Sequence, residues 1–351
     1  MSRLLAIMAL ALCALPAHAQ QAPPQQPPAH QPQARTSWGA PDLQGYWSNK
    51  SLTALERPEG TSQLVMTAEE AVHMARGNML VRAKQGDARQ SVVTDEASDR
   101  LLADRNTSRA HNQFWNDMGS SYALVKGEYR TSWIVEPTDG RTPWSDAGRK
   151  ASLRTRTFDG PEGRPQSERC LMSFTGSAGP IMNNGLYNNT YQIVQTPGSV
   201  VVFTEMIHDV RIIPISEAGG GKHGPAGIPK WGGDSIGWYE DDTLVVETVN
   251  VHPQQRSYIS PAGKLTERFS RWSDGQILYR FTIEDLSLYS RPWSGEMSLN
   301  ASKSSPFEYG CHEGNYALQH ILQGARQMER DGRPRQPIQE PYPGVDVSEG
   351  Q

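Results

Sequence analysis

Four ionisable side chains fall within residues 205–211, and they could carry out acid–base chemistry. If this segment is a strand, His208 lies on an apolar face, while Glu205, Asp209 and Arg211 share the opposite face. An imidazole on a buried face can act as a general acid or base, because it titrates near neutral pH and burial tunes it. In this interpretation His208 exchanges the proton, and Arg211, Glu205 or Asp209 orients it or stabilises a developing oxyanion. The alternative is a structural histidine packed in the core.

A second polar group, residues 311–315, precedes a helix predicted near the C-terminal end. From there His312 could assist catalysis at the rim of a barrel. Neighbouring residues on a strand point to opposite faces, so Cys311 and His312 do not form a nucleophilic pair. A zinc site that combines His208 and His312 with a carboxylate is chemically conceivable. No histidine spacing typical of a metal site supports it, so we predict neither a metal nor an organic cofactor.

Two glycine-rich segments match catalytic motifs only in part. Residues 219–224 lack the ending and the following helix of a phosphate loop, and we interpret them as a loop at the barrel rim. Gly233 and Gly237 flank Ser235 at the spacing of a nucleophile elbow, but a predicted strand follows where that motif needs a helix. The sequence therefore favours neither nucleotide binding nor a serine hydrolase.

Residues 191–300 are predicted to form a series of short strands. Turn signals rich in Pro, Gly and Asp occur at residues 196–198, 240–242 and 273–275. Residues 277–284 alternate strictly between apolar and polar side chains, as one face of a sheet requires. Regularly spaced short strands are typical of a barrel or a sandwich. Pairing between sequential neighbours favours an antiparallel up-and-down β-barrel, with a β-sandwich as the alternative.

A barrel of this size can enclose a small molecule. Four aromatic residues of the meander are candidates to stack on such a ligand: Tyr191, Trp238, Tyr279 and Trp293. The alternative is that these rings fill the core, as aromatic side chains commonly do.

Helices are predicted on both sides of the meander. Thr67 and Glu70 have the spacing of a capping box before a helix over residues 71–84, and a second helix is predicted over 95–115. A helical insertion at about residues 67–118 therefore packs outside the barrel or across its mouth. Apolar residues at helical spacing predict a closing helix on the barrel wall: Tyr316, Leu318, Ile321, Leu322, Ala325 and Met328. The expected organisation is one barrel domain over residues 37–330 and a loose tail over 331–351.

The N-terminal residues indicate export. A basic residue, a short apolar run and Ala17-His18-Ala19 give residues 1–19 the three parts of a secretory signal peptide. Residues 20–36 are rich in Pro and Gln and predict a disordered linker. The mature protein is therefore expected to be periplasmic or secreted, without membrane insertion. In that compartment Cys170 and Cys311 are expected to form a disulfide, the alternative being two buried thiols.

Composition limits the partners. The chain has 351 residues, of which 36% are hydrophobic, and this is enough for one substantial core. A formal net charge of −4 and the absence of a basic run argue against nucleic acid. The expected partner is a small apolar or aromatic molecule, and the sequence does not specify an oligomeric state.

Two resemblances add to these expectations. Gly45-Tyr46-Trp47 resembles the Gly-x-Trp signature of the first lipocalin strand, and a helix after the last strand is also similar to that fold. Most of the mature chain resembles a group of uncharacterised secreted bacterial proteins, through blocks that include residues 41–47, 168–170, 205–214 and 311–316. The first resemblance implies a lipocalin-like barrel. The second implies no catalytic residue.

Two functions follow from the sequence. The first is an acid–base enzyme of the isomerase, hydratase or dehydratase type, acting on a small apolar or aromatic metabolite. The second is a lipocalin-like binding protein for a hydrophobic molecule. An enzyme needs several titratable groups that converge in one pocket, whereas a binding protein needs an apolar interior with one or two polar anchors.

Overall fold

The computed structural model describes residues 34–78, 81–82, 117–152, 161, 164–173, 179, 181–217, 221–255 and 258–333. The predicted signal peptide, nearly all of the linker, the second predicted helix of the insertion and most of the tail lie outside these residues. In the described part, no helix is both long enough and apolar enough to cross a bilayer.

Nine strands form a nearly closed antiparallel β-barrel, which confirms the predicted fold class and excludes the sandwich. They are β1 Gly45–Ser48, β6 Thr190–Gln195, β7 Ser199–Thr204, β8 Asp209–Pro214, β9 Asp234–Glu240, β10 Thr243–Val249, β11 Lys264–Ser273, β12 Gln276–Glu284 and β13 Trp293–Ala301. Their order around the barrel is β8-β7-β6-β1-β13-β12-β11-β10-β9. Sequential neighbours pair throughout the meander, and β1 joins its first strand, β6, to its last strand, β13.

The barrel wall has a seam between β8 and β9. Nine strands that alternate in direction leave the first and the last parallel, so the two cannot continue the antiparallel ladder. They meet at a single parallel bridge between Ile215 and Gly237, where Ser216 N–H donates to the Gly237 carbonyl over 2.9 Å. Side chains must therefore supply much of the attachment across the seam.

The two ends of the barrel differ in their connections. At one end, which we call the turn end, tight turns at residues 196–198, 241–242 and 274–275 join successive strands. The other end, the loop end, carries the longer connections over residues 49–189, 250–263 and 285–292. Binding residues occur disproportionately on loops held by a rigid scaffold, so the loop end is where a site is expected.

The segment before β1 closes the turn end. Leu43 is fully buried there, and its carbonyl accepts a 2.9 Å hydrogen bond from the indole of Trp47. Gln195 binds this segment through the Leu43 N–H at 2.6 Å and the Pro41 carbonyl at 3.0 Å. The Arg271 guanidinium lies 5.7 Å from the centre of the Trp47 ring. Trp47 of the Gly-x-Trp motif therefore seals this end of the core.

Packed aromatic rings occupy the middle of the barrel. Phe269 and Tyr279 lie 4.9 Å apart between ring centres, and Phe281 and Trp293 lie 5.6 Å apart, edge to face. Gly295 faces this cluster, and a Cβ at that position would collide with the Phe281 ring. This part of the interior is therefore a solid core.

The shorter elements lie around the barrel. Strands β2 Val65–Met66, β3 Leu124–Val125 and β4 Glu128–Arg130 form a small separate sheet, and β5 Ile134–Glu136 pairs with β13. The helices are α1 Ala68–Gly77, α2 Asp146–Ser152 and α3 Tyr316–Arg330.

Helix α1 begins as the sequence predicts. The Thr67 hydroxyl accepts from the Glu70 N–H at 3.2 Å, and the Glu70 carboxylate accepts from the Thr67 N–H at 2.7 Å. The helix ends at Gly77, earlier than expected. Its Ala71 and Ala75 pack in a small cluster that is separate from the barrel core, so the described part of the insertion lies outside the barrel.

Helix α3 differs from its prediction. Asn315 caps it, and its side-chain oxygen accepts from the Leu318 N–H at 3.2 Å. None of its residues is fully buried, and Tyr316 is 69% exposed. The expected close packing on the barrel wall is therefore wrong. Its spacing shows that the helix has an apolar face, but it cannot show what that face contacts.

A disulfide joins Cys170 to Cys311 across 141 residues of sequence, as predicted. It links the segment before the meander to the one after it. Asn315 strengthens this link, because its side-chain amide donates to the Glu168 carbonyl at 3.1 Å.

Candidate functional site

Residues 205–211 do not form one continuous strand, and this overturns the predicted position of His208. Met206–His208 form a turn of 3-10 helix in which Ile207 and His208 have φ values of 64° and 55°, so β8 begins only at Asp209. His208 is exposed and packs edge-on against Phe203 at 4.7 Å. Because the turn breaks the alternation of side chains, the imidazole lies outside the barrel interior.

The apolar face predicted for this segment also points outward. Val210 and Ile212 are 48% and 64% exposed. Glu205 is buried, but its carboxylate is occupied by backbone groups, the Thr190 N–H at 3.0 Å and the Phe307 N–H at 3.2 Å. The Asp209 carboxylate accepts from the adjacent Val210 N–H at 2.8 Å. In the described structure these two acids fix the turn and the C-terminal segment.

Among the ionisable residues of 205–211, Arg211 is the one whose side chain reaches into the barrel and across its seam. From β8 its guanidinium crosses the seam and binds both carboxylate oxygens of Glu267 on β11, one of them at 3.0 Å. It also donates to Ser235 on β9 at 3.0 Å and to Thr248 on β10 at 2.6 Å. One side chain thereby joins β8 to the next three strands across the interrupted ladder.

The hydrogen-bond network continues from Glu267 to the far side of the loop end. Tyr279 donates to Glu267 at 2.8 Å, and its hydroxyl accepts from the Met182 N–H at 3.2 Å. Asn49 then donates to the Met182 carbonyl at 2.6 Å and contacts the Tyr191 hydroxyl at 3.3 Å. Two predicted ligand-stacking residues, Tyr191 and Tyr279, are therefore fully buried network members.

Residues 181–184 lie across the loop end and hold this network in place. Ile181 and Met182 are buried in the barrel core. The Asn184 amide donates to the Ser51 carbonyl at 2.8 Å, and its oxygen accepts from the Trp133 indole at 2.7 Å.

Asn183, in the same segment, contacts a group of aromatic residues. Its amide lies 3.1 Å from the Tyr258 hydroxyl. Trp293 stands edge-on to Tyr258 at 6.2 Å and to Tyr289 at 5.5 Å, and Tyr289 donates to the Tyr258 carbonyl at 2.8 Å. Together Asn49, Asn183, Tyr258, Tyr289 and Trp293 form what we call the loop-end site.

Two buried polar atoms of the loop-end site have no hydrogen-bond partner among the described residues: Asn49 Oδ1 and Asn183 Oδ1. Their residues are 1% and 8% exposed. Buried polar atoms nearly always have a partner, so each such atom marks a position for a water molecule or a ligand.

Burial also shapes the electrostatics of this end. It raises the pKa of Tyr258 to about 12, against the effect of the Asn183 hydrogen bond. It likewise raises the pKa of Tyr191, Tyr279 and Tyr289 well above the ordinary value for tyrosine. A negative charge is therefore strongly disfavoured here unless it is paired as Glu267 is.

The remaining predicted site residues lie elsewhere. Trp238 is partly exposed, and its indole donates to Glu240 at 2.9 Å. His312 is exposed in the segment after the meander. Neither residue joins the loop-end site. Alternation along β9 directs Trp238 away from the barrel interior, and His312 lies in the segment that follows β13.

One polar cluster was missed by the sequence interpretation. The ring nitrogens of His223 lie 3.1 Å from Asp234 and 3.1 Å from Glu247, and Lys230 also pairs with Asp234. The only sequence signal was a histidine in a glycine-rich loop. Because both nitrogens already contact carboxylates, the cluster attaches the glycine-rich loop to the outer wall of the barrel.

An open groove of about 490 Å³ lies between α1 and the loop before β2. It is lined by Met66, His73, Met74, Thr131 and neighbouring polar residues. The Glu70 carboxylate in its lining already caps α1. The groove has no connection to the barrel network, and most of its polar lining is exposed to solvent.

In the described residues, no group of three or more His, Cys, Asp or Glu side chains could hold a metal ion. Comparisons with protein-family models, curated proteins and solved structures found no match. The function of the loop-end site is therefore inferred from its geometry alone.

Proposed function

We propose that this protein binds a small apolar or aromatic molecule at the loop end of its barrel. The observation that carries the proposal is the combination of buried aromatic rings with buried amide oxygens on Asn49 and Asn183 that lack a hydrogen-bond partner. An apolar interior with a few polar anchors is the pattern of a binding site.

Binding is favoured over acid–base catalysis by the positions of the titratable groups. His208 and His312 are exposed and lie outside the loop-end site. Inside the barrel, the Arg211 guanidinium and the Glu267 carboxylate form an ion pair, and the Tyr279 hydroxyl donates to Glu267, so these groups are already bound to one another. The isomerase, hydratase or dehydratase alternative would need a free acid or base that converges on the ligand.

Export is part of the proposal. The leader-like residues 1–19 indicate secretion, and a disulfide is most stable in an oxidising compartment. We therefore place the mature protein in the periplasm or outside the cell, where it would hold its ligand as a soluble carrier.

The test compares two substitutions in the mature protein. Native mass spectrometry of the purified protein identifies any co-purified molecule, and titration with a panel of aromatic compounds, followed by tryptophan fluorescence, measures affinity. Asn183→Ala should weaken binding, whereas His208→Ala should leave it unchanged. Loss of ligand conversion in His208→Ala would instead support the enzyme and overturn the proposal.

A further inference from the structure

The loop-end site restricts the chemistry of its ligand. Resting on the function proposed above, we infer that the ligand is an uncharged aromatic molecule that donates hydrogen bonds, through hydroxyl or N–H groups, to the side-chain amides of Asn49 and Asn183.

The orientation of Asn49 creates the first acceptor. Its Nδ2 donates to the Met182 carbonyl at 2.6 Å. Rotating the amide by half a turn would place two oxygen atoms against each other, so the orientation follows from the hydrogen bond. Asn49 Oδ1 therefore stays unpaired and buried. Only a donor can satisfy this oxygen.

Asn183 supplies a second unsatisfied position beside the first. Its Nδ2 contacts the Tyr258 hydroxyl at 3.1 Å and its Oδ1 is unpaired. The Met182 carbonyl that accepts from Asn49 belongs to the peptide bond between Met182 and Asn183. The side-chain amides of Asn49 and Asn183 are therefore connected through this one peptide group. A ligand with two donors on one ring can therefore be expected to match both.

The aromatic side chains explain why the donors should be carried on a ring. Tyr258 and Tyr289 stand edge-on to Trp293, and all three residues are buried. Offset and edge-to-face contacts with such rings favour a planar aromatic partner.

The charges of the interior explain why the ligand should be neutral. The Arg211 guanidinium is matched by Glu267 in a bidentate pair, and its other hydrogen bonds go to Ser235 and Thr248. A ligand carboxylate or ammonium would enter without a counter-charge, and burying an unpaired charge is strongly unfavourable. Burial raises the pKa of Tyr258 to about 12 for the same reason, because ionisation of this tyrosine would place an unpaired negative charge in the interior.

Three probes that share one benzene ring test this inference by isothermal titration calorimetry on the mature protein at neutral pH. Resorcinol has two donors, its dimethyl ether has none, and meta-hydroxybenzoate carries a charge. Resorcinol should bind at least about tenfold more tightly than either of the others, since each lost hydrogen bond costs on the order of 1 kcal/mol.

Substitution of one amide assigns the effect to the site. Asn183→Ala removes one of the two acceptors, so it should weaken resorcinol binding about fivefold, the effect of losing about 1 kcal/mol, and leave binding of the dimethyl ether unchanged. His208→Ala is the matched control, because this side chain lies outside the barrel interior, and it should preserve all three affinities.

The contrary results are distinct. Equal binding of all three probes would overturn the ligand class and leave the proposed binding function standing. No effect of Asn183→Ala on resorcinol would show that the unpaired atoms are satisfied by water alone, which also overturns the ligand class. If none of the probes binds, the ligand class fails, and if the wider aromatic panel fails as well, the binding function fails with it.

Discussion

Arg211 on β8 and Glu267 on β11 form a buried bidentate ion pair that crosses the seam of the barrel. The Glu267 side chain is fully buried, and that of Arg211 is 15% exposed. The pair lies beside the interrupted ladder between β8 and β9, where one parallel bridge connects the strands. Because backbone pairing is sparse there, this ion pair is an important attachment of β8 to the far wall.

Removing either partner should destabilise the fold strongly. Arg211→Met leaves the Glu267 charge buried alone, and Glu267→Leu does the same to Arg211. Each change should lower the free energy of unfolding by about 3–5 kcal/mol. The double variant should lose much less than the sum, because no isolated charge remains. Urea denaturation measures all four proteins, and strictly additive losses would show that the pair is not coupled.

Buried tyrosines should make the protein sensitive to alkali. Burial raises the pKa of Tyr258 to about 12, and it raises the pKa of Tyr279 and Tyr289 well above the ordinary value. The unfolded chain loses these protons near pH 10, so stability is complete below about pH 10 and falls as the pH rises towards the folded values. Absorbance at alkaline pH should show that only part of the twelve tyrosines ionises before circular dichroism is lost, and that the buried ones ionise together with unfolding. Ionisation of all twelve near pH 10 in a protein that remains folded would contradict this expectation.

Asp234 should contribute stability that is lost in acid. Burial raises the pKa of its carboxyl, but hydrogen bonds from Lys230, the Gly224 N–H and His223 together lower it more, so the pKa lies below its ordinary value. This contribution is therefore present above about pH 4 and disappears as the pH falls through the folded value. Asp234→Asn should lower stability at neutral pH and flatten the decline in acid. Denaturation curves across this range measure both effects, and parallel pH profiles would exclude the assigned role.

The Cys170–Cys311 disulfide should stabilise the protein strongly, because it closes a loop of 141 residues. Loop-closure entropy predicts about 4–5 kcal/mol for a loop of this length. The double variant Cys170→Ser/Cys311→Ser avoids leaving one reactive thiol and should lose a comparable amount. Thiol titration of the denatured, unreduced protein, produced without residues 1–19 and therefore without Cys13, should find no free thiol, and two free thiols would refute the bridge.

Two glycines should respond to alanine in opposite ways. At Gly295 a Cβ would overlap the Phe281 ring inside the barrel, so Gly295→Ala should cost about 1–3 kcal/mol. At Gly324 on α3 the added Cβ would meet no atom within 4 Å apart from the backbone of its own helix, so Gly324→Ala should stabilise the helix by up to about 1 kcal/mol. Thermal unfolding compares the two. A neutral Gly295→Ala would mean that the rings near Phe281 can move apart.

Local sequence patterns predicted much of the architecture. The turn at residues 274–275 and the capping box of Thr67 and Glu70 occur where expected, because their causes lie within a few residues of chain. Alternation along β12 placed Tyr279 and Phe281 on one buried face correctly. The barrel followed from the sum of such short-range signals.

The functional face of residues 205–211 could not be predicted in the same way. Two residues with positive φ, Ile207 and His208, interrupt the alternation. Positive φ is uncommon for residues other than glycine, so the sequence does not predict a turn at this position. Arg211 was chosen for its charge, but its partner Glu267 lies 56 residues away and meets it only when the barrel closes.

The sequence by itself determined the strands, their turns and the cysteine pair, since these depend on neighbouring residues and on composition. Tertiary structure decided which polar groups are buried together at the loop end and which remain unsatisfied. Hydrogen bonding and desolvation depend on distances between residues far apart in the chain, and only the strand register and the closed barrel bring Asn49, Asn183 and Trp293 into one site.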